Sequence, residues 1–372
     1  MSLDIRYAKI DPEQIKDVYT EFDTVDFLIA TDRNVIANSI RLEGDLRFLH
    51  DGTNRVTNAQ TIFYEPKVGM HGLIESISTQ MGGSGEVVEF LQNYPRYVNM
   101  VEKATNGEND YFSGQKVVEG KVPCYELSRD VMRGKVLFDD QNTNISDADF
   151  SLKPMFCLNR MDGQSLNLSP YNNLVKVSVQ LARNKAFFCG TGAVDTTAYQ
   201  IRNLKVTYRT LPSSPSPNVS SNSYVSLKQT IQSPQASIST RVPAIASGVS
   251  MSFQLQGEEN TNGANNYETQ KPPFPSGIGL RFMFNNVSNN FITYEIVDEG
   301  EAVENYLESL KSGGVNALSP TEQRGANFGL GVNFQGFVDL RNQKLTFELD
   351  SGIDTNVPML AYMYFHSKIQ LS

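Results

Sequence analysis

The residues best suited to acid–base or metal chemistry are few in this sequence and form no recognised motif. The three histidines, His50, His71 and His366, lie in separate segments. His71 is followed by Glu75, but this spacing lacks the second histidine and the glutamate position of an HExxH zinc site. We therefore predict no histidine-based metal site, and we assign no catalytic, cofactor-binding or metal-binding residue and no cofactor.

Two glycine-rich segments partly match catalytic loops. Gly82–Glu86 reads GGSGE and has Glu86 where a nucleophile elbow requires glycine. Gly190–Thr196 lacks the lysine with which a phosphate-binding loop reaches its ligand, and a strand pattern follows it where a helix is required. We interpret both segments as turns.

An oxygen-rich segment, Asp140–Asp149, matches the first half of a calcium-binding loop. Its sixth position is Ile145, where the sharp turn requires glycine, and its twelfth is Ser151, where a bidentate glutamate is expected. A solvated loop is the favoured interpretation, and calcium binding is left open.

The three cysteines are Cys124, Cys157 and Cys189, and no two of them have CxxC spacing. An odd, sparse set of this kind indicates buried or half-buried free thiols in a protein made in a reducing cytoplasm.

The charge of the chain argues against a nucleic-acid-binding protein. The net charge is -9 and the pI is about 5.0, and an acidic surface is poorly suited to phosphate backbones. The densest basic cluster is Arg202, Lys205 and Arg209, which we interpret as the solvated face of a strand. We predict no sequence-specific recognition of nucleic acid. The sequence also lacks a signal peptide and an apolar stretch long enough to span a bilayer.

The N-terminal segment Asp11–Phe22 has the pattern of a short amphipathic helix. Asp11 can cap the helix and Pro12 suits its first position. Ile15, Val18, Tyr19 and Phe22 then fall on one face. The helix would pack on its own domain or, alternatively, dock on a neighbour or a membrane surface.

Strand patterns dominate the remainder of the first half. Ile40–Phe48 alternates apolar and polar residues, which is typical of a half-buried strand. Leu73–Met81 fits a helix or a strand equally well, and a helical stretch is predicted from Glu86 to Thr105. Further strands are predicted at Gly134–Phe138, Lys153–Leu158, Leu174–Leu181, Ala186–Cys189 and Tyr199–Tyr208.

A segment rich in proline and serine, Leu211–Asn222, divides the chain into two halves and reads as an exposed linker. The second half repeats the β-rich pattern with one helical insert, Glu301–Leu310. Its predicted strands are Tyr224–Gln232, Ser237–Val242, Val249–Leu255, Ile278–Phe284, Phe291–Val297, Phe328–Phe334, Phe337–Leu340, Lys344–Leu349 and Met359–His366. Each half therefore has roughly eight strands, the strand number of a jelly roll.

Four stretches resemble the double jelly-roll major capsid proteins of double-stranded DNA viruses, in particular the virophage and polinton-like group. These stretches are Gly69–Ile77, Glu86–Tyr97, Tyr199–Tyr208 and Ile231–Phe253. The resemblance implies an all-β fold of two tandem jelly-roll β-barrels with short helical inserts. We expect an N-terminal arm at residues 1–24, a first jelly roll at 25–210, a linker at 211–222 and a second jelly roll at 223–372.

The resemblance also implies a structural function and no enzymatic activity. Such a chain would form homotrimers that tile as pseudo-hexagonal capsomers in an icosahedral virion, after synthesis in the host cytoplasm. Its partners would be neighbouring capsomers and penton or minor capsid proteins, with an internal membrane left open. The segments expected to join neighbours are residues 1–24 and the helical insert Glu86–Thr105.

Two other functions remain open from the residues alone. A β-sandwich adhesin, spike or carbohydrate-binding protein would use acidic calcium loops, for which Asp140–Asp149 is the only indication. A glycoside hydrolase could draw a carboxylate pair from the 41 acidic residues. The absence of tryptophan argues against a cleft that stacks sugars.

Overall fold

The computed structural model describes residues 4–49, 52–54, 62–65, 68–82, 85–105, 119–120, 148–190, 196–215, 218–231, 236–242, 244–256, 280–285, 291–296, 299–317, 329–341, 344–349 and 359–371. In chain order, the strands of the first half are β1 (Arg6–Ile10), β2 (Thr24–Ala30), β3 (Asn34–Ile36), β4 (Arg41–Leu49), β5 (Ile62–Tyr64), β6 (Ile74–Met81), β7 (Glu86–Gln92), β8 (Ala148–Leu152), β9 (Ser165–Leu166), β10 (Leu174–Leu181), β11 (Phe188–Gly190) and β12 (Ala198–Leu211). Helix α1 (Tyr94–Thr105) follows β7, and the short helix α2 (Asn184–Phe187) follows β10.

The second half contains eight described strands and one helix. The strands are β13 (Val219–Ile231), β14 (Ala236–Arg241), β15 (Ile245–Leu255), β16 (Leu280–Asn285), β17 (Phe291–Ile296), β18 (Gly329–Asp339), β19 (Lys344–Leu349) and β20 (Met359–Leu371). Helix α3 (Glu299–Ser312) lies between β17 and β18.

The first half has the strand order of a jelly roll. One sheet, here called sheet 1, has the order β8–β4–β12, with β1 and β3 paired to different parts of β12 and β9 paired to β3. The facing strands have the order β7–β6–β10–β2. Alternation builds the core between them, since Leu42, Leu46 and Phe48 of β4 are buried while Arg41 and Glu43 are not.

In one of its two sheets the second half repeats this order with different residues. Its strands form the orders β18–β15–β20–β13 and β14–β19–β16–β17. Each half also has a helix inserted between strands, α1 between β7 and β8 and α3 between β17 and β18. The fold is thus repeated although the sequence shows no repeat, and the expectation of two jelly rolls with helical inserts is confirmed.

One eight-stranded sheet, here called the shared sheet, runs through both halves in the order β18–β15–β20–β13–β7–β6–β10–β2. Its two halves meet where β7 lies parallel to β13, with Phe90 opposite Val225. Beside this pair, the Gln92 N–H donates to the Ser226 Oγ at 2.7 Å. The two jelly rolls are therefore joined by backbone and side-chain contacts as well as by the chain itself.

Two second-half strands of the shared sheet, β15 and β20, are buried on both faces over most of their length. On β20, Met363 and Phe365 join an apolar cluster with residues of β15 and β18. Tyr362 and Tyr364, which alternate with them, belong instead to the core cluster that contains α1 and the first jelly roll. This explains why Met359–His366 is buried at every position, as strands covered on both faces usually are.

The predicted helix at Asp11–Phe22 is wrong. The segment is irregular, and Tyr19 forms a two-way backbone bridge with Ile201 of β12 at 2.8 and 2.9 Å. Ile15, on the supposed apolar face, is 81% exposed. A helix this short gains too little from its own hydrogen bonds to compete with pairing along a sheet edge.

The helical prediction from Glu86 to Thr105 is correct only from Tyr94 onward. Glu86–Gln92 is strand β7, which pairs antiparallel with β6 and buries Glu89 and Leu91. The helix begins after Asn93, whose φ of 51° turns the chain. The ambiguous segment Leu73–Met81 is resolved as a strand, β6.

Three smaller predictions also change. Lys153–Leu158 is not a strand, because Pro154 cannot donate to a ladder, and a 3-10 helix follows at Cys157–Asn159. Ala186–Cys189 is split between α2 and β11. Val219–Asn222 belongs to β13, so the connection after β12 is shorter than the predicted linker. The predicted strand Gly134–Phe138 lies outside the described residues.

Candidate functional site at the junction of the two halves

Helix α1 belongs to the first jelly roll in chain order, yet it packs on strands of the second. The Tyr97 ring lies 4.4 Å from that of Tyr224 on β13 and 5.4 Å from that of Tyr364 on β20, measured between ring centroids. The Tyr364 hydroxyl donates to the Asn93 carbonyl at 2.9 Å. The helix is thus anchored at its start by residues far along the chain from it.

An ion pair between Glu89 and Arg160 is buried at this junction. Glu89 Oε1 lies 3.3 Å from Arg160 Nη2. The same carboxylate accepts the backbone N–H of Cys157 at 2.6 Å and that of Tyr224 at 3.2 Å. Burial raises the pKa of Glu89, and the positive charge of Arg160 opposes this rise. The paired and hydrogen-bonded carboxylate of Glu89 therefore links strand β7 to strand β13 and to the segment that follows β8.

Arg160 is held by aromatic rings as well as by Glu89. Its guanidinium lies 4.1 Å from the centre of the Tyr224 ring and donates to the Tyr97 hydroxyl at 3.3 Å. It also donates to the carbonyl of Met155. A guanidinium suits such a position because it can stack on rings and form several directed hydrogen bonds at once.

Arg96 makes a second cationic contact across the junction. Its guanidinium lies 4.1 Å from the centre of the Tyr362 ring on β20 and donates to the side chain of Gln254 on β15. Both partners are in the second jelly roll, and both are buried. Arg96 and Tyr97, adjacent in sequence, therefore fix α1 to three strands of the other half.

His366 and Ser250 have the spacing of a catalytic dyad, but their surroundings do not suit catalysis. His366 Nε2 lies 2.8 Å from Ser250 Oγ, which also contacts Ser309 Oγ at 2.8 Å. His366 is 0% exposed, and its Nδ1 has no hydrogen-bond partner among the described residues. A base of this kind needs an orienting group and access to substrate. Burial lowers the pKa of His366 to about 3, so the ring is neutral near pH 7.

His71 is buried in the first jelly roll between Tyr94 and Glu119. The Tyr94 hydroxyl accepts the Met155 N–H at 2.9 Å and lies 2.7 Å from His71 Nδ1. His71 Nε2 lies 3.3 Å from the Glu119 carboxylate. When the Tyr94 hydroxyl donates to Nδ1, the proton of the neutral ring is on Nε2, the nitrogen nearer the Glu119 carboxylate. The arrangement ties α1 to its own jelly roll.

The residues considered for chemistry in the sequence do not come together. His71 and His366 occupy separate clusters, and His50 and 140–147 lie outside the described residues, as do residues 83–84 and 191–195. Asp149 lies on β8, and Cys157 is a buried free thiol whose pKa is raised by burial. In the described part of the chain, no three His, Cys, Asp or Glu residues are placed to hold a metal ion. None of the described helices is long and apolar enough to cross a membrane.

The junction therefore holds parts of the fold together and offers no exposed reactive group among its described residues. Sequence reasoning missed it because its members come from distant segments, such as Glu89, Arg160 and Tyr224. Two signals were available: the cluster of aromatic and cationic residues in Tyr94–Tyr97, and the uninterrupted apolar run before His366. Neither signal indicates by itself that residues of the first half contact residues of the second half.

No known protein family and no curated protein matches this sequence. Solved structures do match its fold. The Faustovirus major capsid protein matches with a TM-score of 0.63 at 9% identity, covering 100% of this chain and 90% of that one. VP54 of PBCV-1, fitted into a cryo-EM map of the virophage Sputnik, gives 0.56 at 11% identity, with coverage of 100% and 96%. The mavirus major capsid protein gives 0.50 at 8% identity, with coverage of 98% and 89%. The resemblance expected from the sequence is thus confirmed at the level of the fold.

Proposed function

We propose that this chain, which has the fold of the double jelly-roll major capsid proteins, is itself the major structural protein of an icosahedral virus shell. Its trimers would tile as pseudo-hexagonal capsomers, and the protein would have no enzymatic activity. It would be made in the host cytoplasm and located in the virion. Its partners would be copies of itself and penton or minor capsid proteins.

The observation that carries this proposal is the pair of jelly rolls fused through one shared sheet. Two similar barrels in a fixed arrangement give each chain two of the six sides of a hexagonal block, so three chains complete it. A chain whose barrels moved independently could not define such a block. The buried contacts of Arg96, Tyr97 and Arg160 across the junction give the required fixed arrangement.

The domain limits are part of the proposal. The first jelly roll would occupy residues 25–210 and the second residues 223–372, with an arm at 1–24 and the connection between β12 and β13 lying inside the predicted linker 211–222. Strand β1 adds to the first unit by pairing with β12, and the start of β13 adds to the second by pairing with β20.

The helical part of one segment expected to join neighbouring chains is buried. Residues Tyr94–Met100 of the helical insert are buried within the chain and are not available to a neighbour. The N-terminal segment remains a candidate, because Ile5, Tyr7 and Ile15 are exposed apolar side chains. Removing residues 1–24 would also remove β1, so point substitutions test this segment more cleanly than deletion.

The mass of the purified protein in solution tests the proposal. We expect sedimentation equilibrium or light scattering to give three times the chain mass of 41.4 kDa. A monomer at micromolar to millimolar concentrations, over a range of salt concentrations, would contradict the proposal. A glycan array serves as the comparison, because specific glycan binding by a monomer would favour an adhesin.

A further inference from the structure

The outward face of sheet 1 is basic although the chain is acidic. The register of β1, β4, β8 and β12 places one set of side chains on the face away from the core. The cations on this face and the strand residues between them are here called the basic face. The cations are Lys9, Arg41, Arg47, Lys153, Arg202, Lys205 and Arg209. The described carboxylates on this face are Glu43, Asp45 and Asp149. The sequence indicated only the cluster on β12, because pairing brings the others beside it.

The cations of the basic face are crowded at one end. Burial lowers the pKa of Lys153, and the nearby charges of Arg41 and Arg209 lower it further, whereas Glu119 opposes them. The Arg209 guanidinium lies 5.6 Å from the centre of the Tyr7 ring on the neighbouring strand β1. Tyr7 is 78% exposed, so the crowded end carries an exposed aromatic ring as well as charge.

A surface of opposite charge lies along the side of the same jelly roll. Residues 11–23, here called the acidic edge, carry Asp11, Glu13, Asp17, Glu21 and Asp23 against the single cation Lys16. Lys16 pairs with Asp23 at 2.7 Å, and Glu13 lies 3.7 Å from Lys176 of β10.

The acidic edge also exposes two large apolar side chains. Ile15 and Phe22 are both exposed, and Phe22 lies under the Arg183 guanidinium. Asp11 and Asp17 are exposed, and neither side chain forms an ion pair within the described part of the chain, so their charge is available to another molecule. Exposed apolar side chains bordered by charge are typical of protein–protein contacts.

We propose that the acidic edge of one copy of this chain docks on the basic face of a neighbouring copy. This inference rests on the proposed function, since it names the surfaces through which copies associate. Two different surfaces in contact form a heterologous interface, which closes into a ring when the rotation allows it, as a trimer requires. A protein partner is favoured over nucleic acid because the complementary charge lies on the chain itself and because Tyr7, Ile15 and Phe22 border the two surfaces.

Charge reversal tests the pairing in the full-length chain. Lys9→Glu with Arg209→Glu reverses part of the basic face, and Asp11→Lys with Asp17→Lys reverses part of the acidic edge. We expect each pair to weaken association at least tenfold, and all four substitutions together to restore it, because opposite charges then face each other again. Lys311→Glu with Arg341→Glu, at exposed positions outside both surfaces, is the control for the change in net charge made by the basic-face pair.

The outcomes separate this inference from the proposed function. A monomeric wild-type protein would contradict the proposed function. A wild-type trimer that resists both reversals would overturn only the pairing, and so would a four-substitution chain that folds but stays dissociated. Binding of a duplex DNA oligonucleotide that is lost in the Lys9→Glu, Arg209→Glu chain, with assembly unchanged, would assign the basic face to a polyanion instead and would also overturn the pairing.

Discussion

His366 links the stability of the second jelly roll to pH. Burial lowers its pKa to about 3 from an ordinary value of 6.5, so below pH 6.5 the unfolded chain takes up a proton that the folded chain does not. The free energy of unfolding therefore falls by about 1.4 kcal/mol per pH unit as the pH falls from 6.5 towards 3.

A comparison with His366→Gln isolates this effect from the titration of carboxylates. Glutamine can hydrogen-bond to Ser250 but does not titrate. We expect urea unfolding between pH 6 and pH 4 to show a pH dependence that is flatter in the variant by about 1.4 kcal/mol per unit. Parallel pH profiles for the two proteins would contradict the neutral, buried imidazole.

Arg160 is the second residue whose removal should be costly. Arg160→Met leaves Glu89 buried without its cation, which we expect to lower the free energy of unfolding by about 3–5 kcal/mol. Lys311→Met removes a cation from an exposed pair with Glu308 at 2.6 Å and should cost less than about 1 kcal/mol. Equal losses in the two variants, measured by urea unfolding, would mean that the junction pair contributes no more than a surface contact.

At the scale of elements, α3 lies close to the shared sheet because β18 has glycine where the helix crosses. A Cβ built on Gly331 would overlap the Ser309 side chain, whereas one on Gly336 of the same strand meets nothing within 4 Å. We expect Gly331→Ala to lower the free energy of unfolding by about 1–3 kcal/mol through overpacking. Gly336→Ala should cost much less. A loss at Gly331 as small as that at Gly336 would show that the helix can move away.

The elements differ in how far the sequence determines them. Strands β4, β10 and β12 follow directly from alternation, because one face of each is buried and the other is not. The segment Asp11–Phe22 has equally clear helical spacing and forms no helix, because the backbone of Tyr19 pairs with β12 instead. The spacing of apolar residues shows which of them could share one face of a helix. It does not show whether the segment lies beside a strand with which its backbone can pair instead.

The junction could not be derived from local patterns for a related reason. Glu89, Arg160 and Tyr224 meet only because β7 and β13 become neighbours in the shared sheet. Polar residues at such positions read locally as solvent-exposed, so Glu89 contributed to a false helical pattern. Likewise, the basic face is visible only once β4 and β8 are placed beside β12.

At the scale of the whole molecule, the shared sheet and α1 should make the two jelly rolls unfold together. Independent domains unfold separately when their interface is small and polar, whereas here Tyr97, Tyr224 and Tyr364 belong to one buried cluster. We expect a single calorimetric transition for the wild-type protein. Two resolved transitions in the wild-type protein would contradict a rigid two-barrel block. In the double variant Arg96→Ala, Tyr97→Ala, we expect the two jelly rolls to unfold in separate transitions.

The most direct test of the central claim is electron microscopy of the purified full-length protein at concentrations that favour assembly. We expect averaged images to show a three-fold particle with six barrel-sized densities in a pseudo-hexagonal outline, and these particles to pack into hexagonal arrays or closed shells. Single two-lobed particles without three-fold symmetry, under every condition in which the protein is folded, would contradict the claim that this chain builds a capsid.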